Sequence, residues 1–285
     1  MQKKVAIIGL IIVVTLAIVV VFSAFARVQF TRETQEKVED LFALNMGSSP
    51  YIIELKDLEG LPEPVQKWLE GAGVVGQEKI KFVRMLQEAE MRLNPGGRWM
   101  SLNAEQYVTV EQPGFIWQAR INAAPLVHIS GRDVYKEGRG NMLIKPLSLV
   151  TIADETGFQI DQGTLVRYLA EMVWFPTAAI SNFITWEEID ENSARAIIRH
   201  GNIRVSGVFT FSNAGDPVSF SARRFGEFNG KFRMEPWTVV MKDHKELDGF
   251  RIPTAGEITW ELEEGDFTWY KFKVMEIEFN KPEVF

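Results

Sequence analysis

DQGTLVRYLAEMVWFPTAAI, residues 161–180, is the stretch on which the fold turns. Leu165, Tyr168, Leu169, Met172 and Val173 recur at helical spacing, which predicts a helix with one fully apolar face. Arg167 and Glu171 lie four apart on the other side, a pairing worth about 0.2–0.5 kcal/mol if exposed. Asp161 suits an N-cap. Pro176 stops the helix and opens a second short one over residues 177–183, because proline fits a first helical position.

Outward from this helix the hydrophobic period is two. In EAEMRL, residues 88–93, Ala89, Met91 and Leu93 share one face and the charged residues the other, and NPGG, residues 94–97, turns the chain into RWMSLNAEQYVTV. The same alternation runs through PGFIWQARI, PLVHISGRDVYKEG and NMLIKPLSLVTIA, and resumes after residue 184 through FTWYKFKVMEIEFN. About eleven or twelve short strands with turn residues between them predict a mainly β (α+β) fold built on an antiparallel sheet. A strongly apolar helix among strands needs a large partner. The concave side of a strongly curved sheet, or half-barrel, supplies one.

This placement predicts an apolar cavity under the helix, lined by Leu165, Tyr168, Leu169, Met172, Trp174 and Phe175, with Arg167 and Glu171 as its polar residues. The ligand expected there is a lipid or other hydrophobic molecule, since binding pockets are mostly apolar with few polar groups. A module with a simply packed interior, serving envelope structure or assembly, is the alternative. A third reading is an enzyme that acts on an envelope polymer through buried carboxylates, with Glu171 as the acid of interest.

The amino terminus carries the location. Lys3 and Lys4 precede VAIIGLIIVVTLAIVVVFSAFA, residues 5–26, which holds no charge and is long enough to cross a bilayer as a helix. The two lysines favour a cytoplasmic amino terminus, with residues 27–285 outside. Ala24-Phe25-Ala26 also has the small-x-small form of a signal-peptidase site, so secretion after cleavage near Ala26 is the alternative. Residues 1–26 are thus read as an anchor and 27–60 as a stalk helix (TRETQEKVEDLFAL, residues 31–44) and linker. Residues 61–285 form a single extracytoplasmic domain, which begins with a short helix in LPEPVQKWLEGAG.

Several chemistries are unsupported. The net charge of −7 opposes nucleic-acid binding. There is no cysteine, which removes thiolate catalysis and cysteine metal sites. His128, His200 and His244 match no metal-ligand spacing, and no phosphate-loop, dinucleotide or nucleophile-elbow motif occurs. No cofactor or metal is expected. Asp133, Asp161 and Asp190 read as cap and turn residues.

LPEPVQKWL, QPGFIWQARI, DQGTLVRYLAEMVWFPTA and TWEEID, in this order, resemble the hallmarks of an uncharacterised family of exported or membrane-anchored prokaryotic proteins. The resemblance spans roughly residues 60–280. It implies no activity. By inferred architecture alone, a curved sheet holding a helix is similar to the periplasmic lipoprotein carriers, which shelter acyl chains; the apparent anchor departs from those soluble proteins.

Overall fold

Thirteen strands hydrogen-bond into one antiparallel sheet that curves but does not close. The computed structural model describes residues 2–47, 49–125 and 127–285. Helix α1 (Gln2–Ala43) is followed by a 3-10 turn (Leu55–Leu58) and α2 (Glu63–Gly71). A first meander runs β1 (Phe82–Met91), β2 (Met100–Thr109), β3 (Gly114–Ala124), β4 (Val127–Lys136), β5 (Arg139–Pro146) and β6 (Ala153–Thr156). Helix α3 (Phe158–Glu171) and two 3-10 turns (Met172–Trp174 and Pro176–Ile180) come next. A second meander runs β7 (Ile184–Asp190), β8 (Ser193–His200), β9 (Ile203–Phe211), β10 (Pro217–Phe228), β11 (Lys231–Leu247), β12 (Phe250–Leu262) and β13 (Gly265–Phe279).

Pairing of β1 with β13 joins the two meanders, so β6 and β7 are left as the free edges. Helix α3 is the connection between those edges. It touches β4, β5 and β6 near one edge and β9 and β10 near the other, which is possible only if the sheet bends around it. Tyr135 of β4 and His200 of β8 meet across the gap, hydroxyl to Nδ1 at 2.8 Å. The strand count exceeds the expected eleven or twelve because the short β6 and the long C-terminal hairpins are separate strands.

One expectation changes. Helix α3 begins three residues before Asp161, after Gly157, whose φ of 104° suits glycine. Asp161 is therefore not the N-cap; its carboxylate accepts from the Gly140 backbone N–H at 2.6 Å and tethers α3 to β5. The stalk helix expected over residues 31–44 is the last part of α1, which ends at Ala43, and its Val38, Leu41 and Phe42 dock against Phe82, Tyr107 and Ile116 on the convex face of the sheet. Burying a side chain such as Leu41 or Phe42 stabilises this docking by about 1.5–3 kcal/mol each. Arg132 adds a hydrogen bond to Thr34 at 3.1 Å and lies over the Phe30 ring.

Helix α1 is long and apolar enough to cross a membrane, as an anchor or signal sequence would be. Its docked part runs along the convex face from one end of the first meander to the other. Ser23 donates to the Leu147 carbonyl at 2.8 Å, beyond the end of β5, while Phe42 reaches Phe82 at the start of β1. The registered pairs Met91–Met100, Leu102–Ile121, Ile121–Ile129 and Ile129–Pro146 mark the Ser23 end, called the rim below.

Candidate functional site

The two faces of α3 have different neighbours. Leu165, Tyr168, Leu169, Met172 and Phe175 are buried in the main core, away from open space. Tyr168 donates to the Thr109 carbonyl at 3.1 Å and its ring lies 5.2 Å from Phe175. On the other face, Arg167, Ala170, Glu171 and Trp174 border a partly open cavity of about 170 Å³ between the helix and the concave sheet. Of the eight residues expected to form the site, the structure thus brings Arg167, Glu171 and Trp174 to the cavity and packs the other five beneath it. The reason is the helix period: the broad apolar stripe seals the core, and the narrower mixed face meets the hollow.

The cavity wall is mainly apolar. Met91, Ile121, Met142 and Ile144 approach it from the rim, and Trp237, Trp269 and Phe272 from the second meander. Trp174 is fixed by an indole hydrogen bond to the Pro253 carbonyl at 3.0 Å and by an edge contact with Phe272. The indole nitrogens of Trp237 and Trp269 are buried and have no hydrogen-bond partner among the described residues.

One polar cluster interrupts this wall. Arg167 donates to Glu171 and to Asp133, both at 2.7 Å, and to Gln106 at 3.3 Å. Gln106 in turn donates to the second Glu171 oxygen at 2.6 Å. The guanidinium also lies over Phe115 and Trp117, about 5 Å from each ring centre. Both Glu171 oxygens are thus engaged. Asp133 sits in mid-strand on the concave face rather than in a turn, contrary to expectation, because α3 delivers an arginine to it.

Electrostatics follow from enclosure. Burial works against the Arg167 charge, but Glu171 and Asp133 more than offset it and hold its pKa above the ordinary value. Burial pushes the Asp133 carboxyl up, opposed by Arg167. Arg224 also lines the cavity; burial, reinforced by repulsion from Arg167, pulls it down to about 10. It donates to the Gly163 carbonyl at 2.9 Å and stacks over Trp237 and Trp260. Arg224 is therefore a half-buried cation whose nearby carboxylates already serve Arg167.

The sequence reading does not single out Gln106 or Arg224 and takes Asp133 as a cap or turn residue, yet a signal for Gln106 and Asp133 exists. Ile129, Gly131, Asp133 and Tyr135 share one strand face by the two-residue period, and so do Leu102, Ala104, Gln106 and Val108. A polar side chain on an otherwise inward face marks a place where something across the core must meet it. The histidines are dispersed: His128 pairs with Ser148, His200 with Tyr135 and His244 with the Pro217 carbonyl. Asp190 caps its turn by accepting from the Asn192 N–H at 3.0 Å.

Residues 51–272 match the family of unknown function DUF6544, and the chain belongs to that family. No curated protein matches it in sequence. In structure it is similar to a LolA superfamily protein from Nitrosomonas europaea, at 9% identity and a TM-score of 0.44, over 76% of this chain and 94% of that one. It is also similar to a DUF1329 family protein from Desulfovibrio piger, at 8% identity and a TM-score of 0.41, over 86% and 93% of the two chains. The resemblance to an uncharacterised family, drawn from the sequence, is borne out.

Proposed function

We propose that this DUF6544 family member is a membrane-tethered, extracytoplasmic domain. It holds a lipid or another hydrophobic molecule in the hollow between α3 and the sheet, without transforming it. Residues 1–26 are the anchor, and Lys3 and Lys4 keep the amino terminus inside, so that residues 27–285 lie outside.

The observation that carries this reading is the hollow. An apolar cavity of about 150 Å³ is enough to hold a benzene ring. The space here, about 170 Å³, therefore accepts a ring or a short run of methylenes. A longer tail extends through the rim past Met142 and Ile144. The unpaired indole N–H groups of Trp237 and Trp269 favour a ligand with an oxygen acceptor, such as an acyl ester or carboxylate. An unmet buried donor costs about 1–3 kcal/mol, which such an oxygen would recover. Arg224 supplies positive charge in the same wall. Non-catalytic binding is favoured because Arg167 and Gln106 occupy both oxygens of Glu171, the acid on the helix, and Arg167 also holds Asp133.

The test uses the full chain in phosphatidylcholine nanodiscs with a diazirine-bearing palmitic acid. After irradiation, adducts are expected on peptides containing Met142–Ile144 or Trp174, and Ala170→Trp, which fills the hollow, should remove them. Adducts confined to residues 5–26 would overturn the reading.

A further inference from the structure

The loop between β5 and β6, LSLVTI at residues 147–152, presents Leu149, Val150 and Ile152 at 40%, 60% and 63% exposure. Such a cluster is costly in water, and here the chain spends backbone strain to hold it. Leu147 and Ser148 both have positive φ, 53° and 59°, in the left-handed region that non-glycine residues avoid. A buried polar network keeps them there: the Ser148 hydroxyl bonds His128 at 3.0 Å and Ser130 at 2.8 Å, and the Leu147 N–H donates to the His128 carbonyl at 2.8 Å. The loop is a built projection.

Its position relative to α1 identifies what it projects into. Ser23, three residues before the end of the apolar run, donates to the Leu147 carbonyl. At 1.5 Å per residue that contact lies about 4.5 Å inside the end of the apolar segment. Apolar elements that lie in a membrane surface sink about 5–10 Å into it. We infer that the 147–152 loop, with Leu93 and Val127 on neighbouring rim turns, inserts into the face of the same lipid bilayer that α1 crosses. The cavity mouth thereby opens onto the lipid.

The exposed apolar group near the start of β1 does not compete for this role. Tyr51, Ile52 and Leu55 are exposed near the start of β1, the Phe42 end of the docked helix. Ser23 and Phe42 are nineteen positions apart, about 28 Å along the axis, so that end stands well clear of the same bilayer. At the rim level Arg27 and Arg120 line a groove of about 570 Å³ between α1 and the convex face. Glu88 and Glu105 share it, so the contact is apolar in origin and needs no anionic lipid. Ile144, two residues before Pro146, belongs to the cavity wall, so β5 leads from the inserted loop into the hollow.

The inference rests on the anchor reading, and the test separates the two. The natural chain lacks cysteine, so Val13→Cys, Val150→Cys and Ile52→Cys each give a single labelling site. Each full-length variant is labelled with bimane, reconstituted into phosphatidylcholine vesicles and exposed to lipid-borne nitroxide quenchers. Loss of fluorescence is expected at positions 13 and 150 but not at 52. Quenching at 13 with position 150 no more quenched than 52 would overturn the docking and leave the anchor standing. No quenching at 13 would overturn the anchor, and the docking with it. A Leu149→Ser/Val150→Ser/Ile152→Ser chain should capture diazirine palmitate from the bilayer several-fold less, while position 13 stays quenched; undiminished capture would overturn the proposed route.

Discussion

At the far end of the concave face, α2 lays Trp68 on Phe209 and Phe211, with ring centres 6.1 and 5.8 Å away, and Phe209 meets Phe220 at 4.7 Å. At the rim end, Trp117, Trp174, Trp237 and Trp269 surround open space instead. Both ends are rich in aromatic residues, so composition does not separate them. What differs is the plug. Helix α2 caps the far end with a matching apolar face, while the rim end receives from α3 a charged residue that must be surrounded by its own partners. The comparison teaches that the hollow is the place where the helix presents Arg167 and Glu171 instead of more leucine.

The largest effect that tests this contrast is at Trp68. Replacement by alanine should cost about 3–5 kcal/mol, the range for a fully buried aromatic in a close-packed site, read as a lowered midpoint in denaturant. A cost under about 1 kcal/mol would mean that the far end is as loosely filled as the rim, and the contrast would fail.

A smaller effect compares two glycines. A Cβ on Gly207 of β9 would lie 2.1 Å from the Phe220 ring, which has nowhere to go among Phe209 and Trp237. Gly207→Ala should therefore destabilise by about 1–3 kcal/mol. A Cβ on Gly131 of β4, in the cavity wall, would meet Trp117 at 3.7 Å, an ordinary contact. Gly131→Ala should be neutral or stabilise by up to about 1 kcal/mol. Equal costs at the two positions would contradict a solid end and a hollow end.

How much of this was legible in the sequence depends on range. The apolar stripe from Leu165 to Val173 is local, so the helix and its burial were readable, as was the antiparallel sheet from alternation and turn residues. The start of α3 was misplaced because Asp161 looks like a cap, and only Gly140, twenty-one positions earlier, shows what it binds. Val38, Leu41 and Phe42 are visible as a stripe, but their partners Phe82, Tyr107 and Ile116 lie on three different strands further along the chain. The cavity itself is a deficit of volume summed over residues far apart in the chain. No local pattern encodes such a deficit, and so Leu165, Tyr168, Leu169, Met172 and Phe175 are expected at the hollow together with Arg167, Glu171 and Trp174, although the five pack beneath it.

The smallest expected effect concerns protons where β4 and β8 meet across the gap between the edges of the sheet. His200 is half-buried, and desolvation holds its pKa below the usual 6.5. Neutral His200 can accept the Tyr135 hydroxyl at Nδ1, whereas the imidazolium cannot. Because the folded pKa is depressed, the unfolded chain binds more protons between the two values. The contribution to stability is complete above about pH 6.5 and is lost as pH falls through the folded value. His128 and His244 are shifted in the same direction, so the total slope alone does not report on the latch. The informative quantity is the difference between the wild-type chain and His200→Asn in the pH dependence of Tm between pH 7.5 and 5. A shallower slope in the variant is expected, since asparagine does not titrate. Tyr135→Phe should lower Tm at pH 7.5 and narrow the remaining gap at pH 5, because the hydrogen bond it deletes is one that acid already breaks. Parallel slopes in wild type and His200→Asn would show that the edges are held by packing against α3 alone, and the latch would then play no part in closing the sheet around its helix.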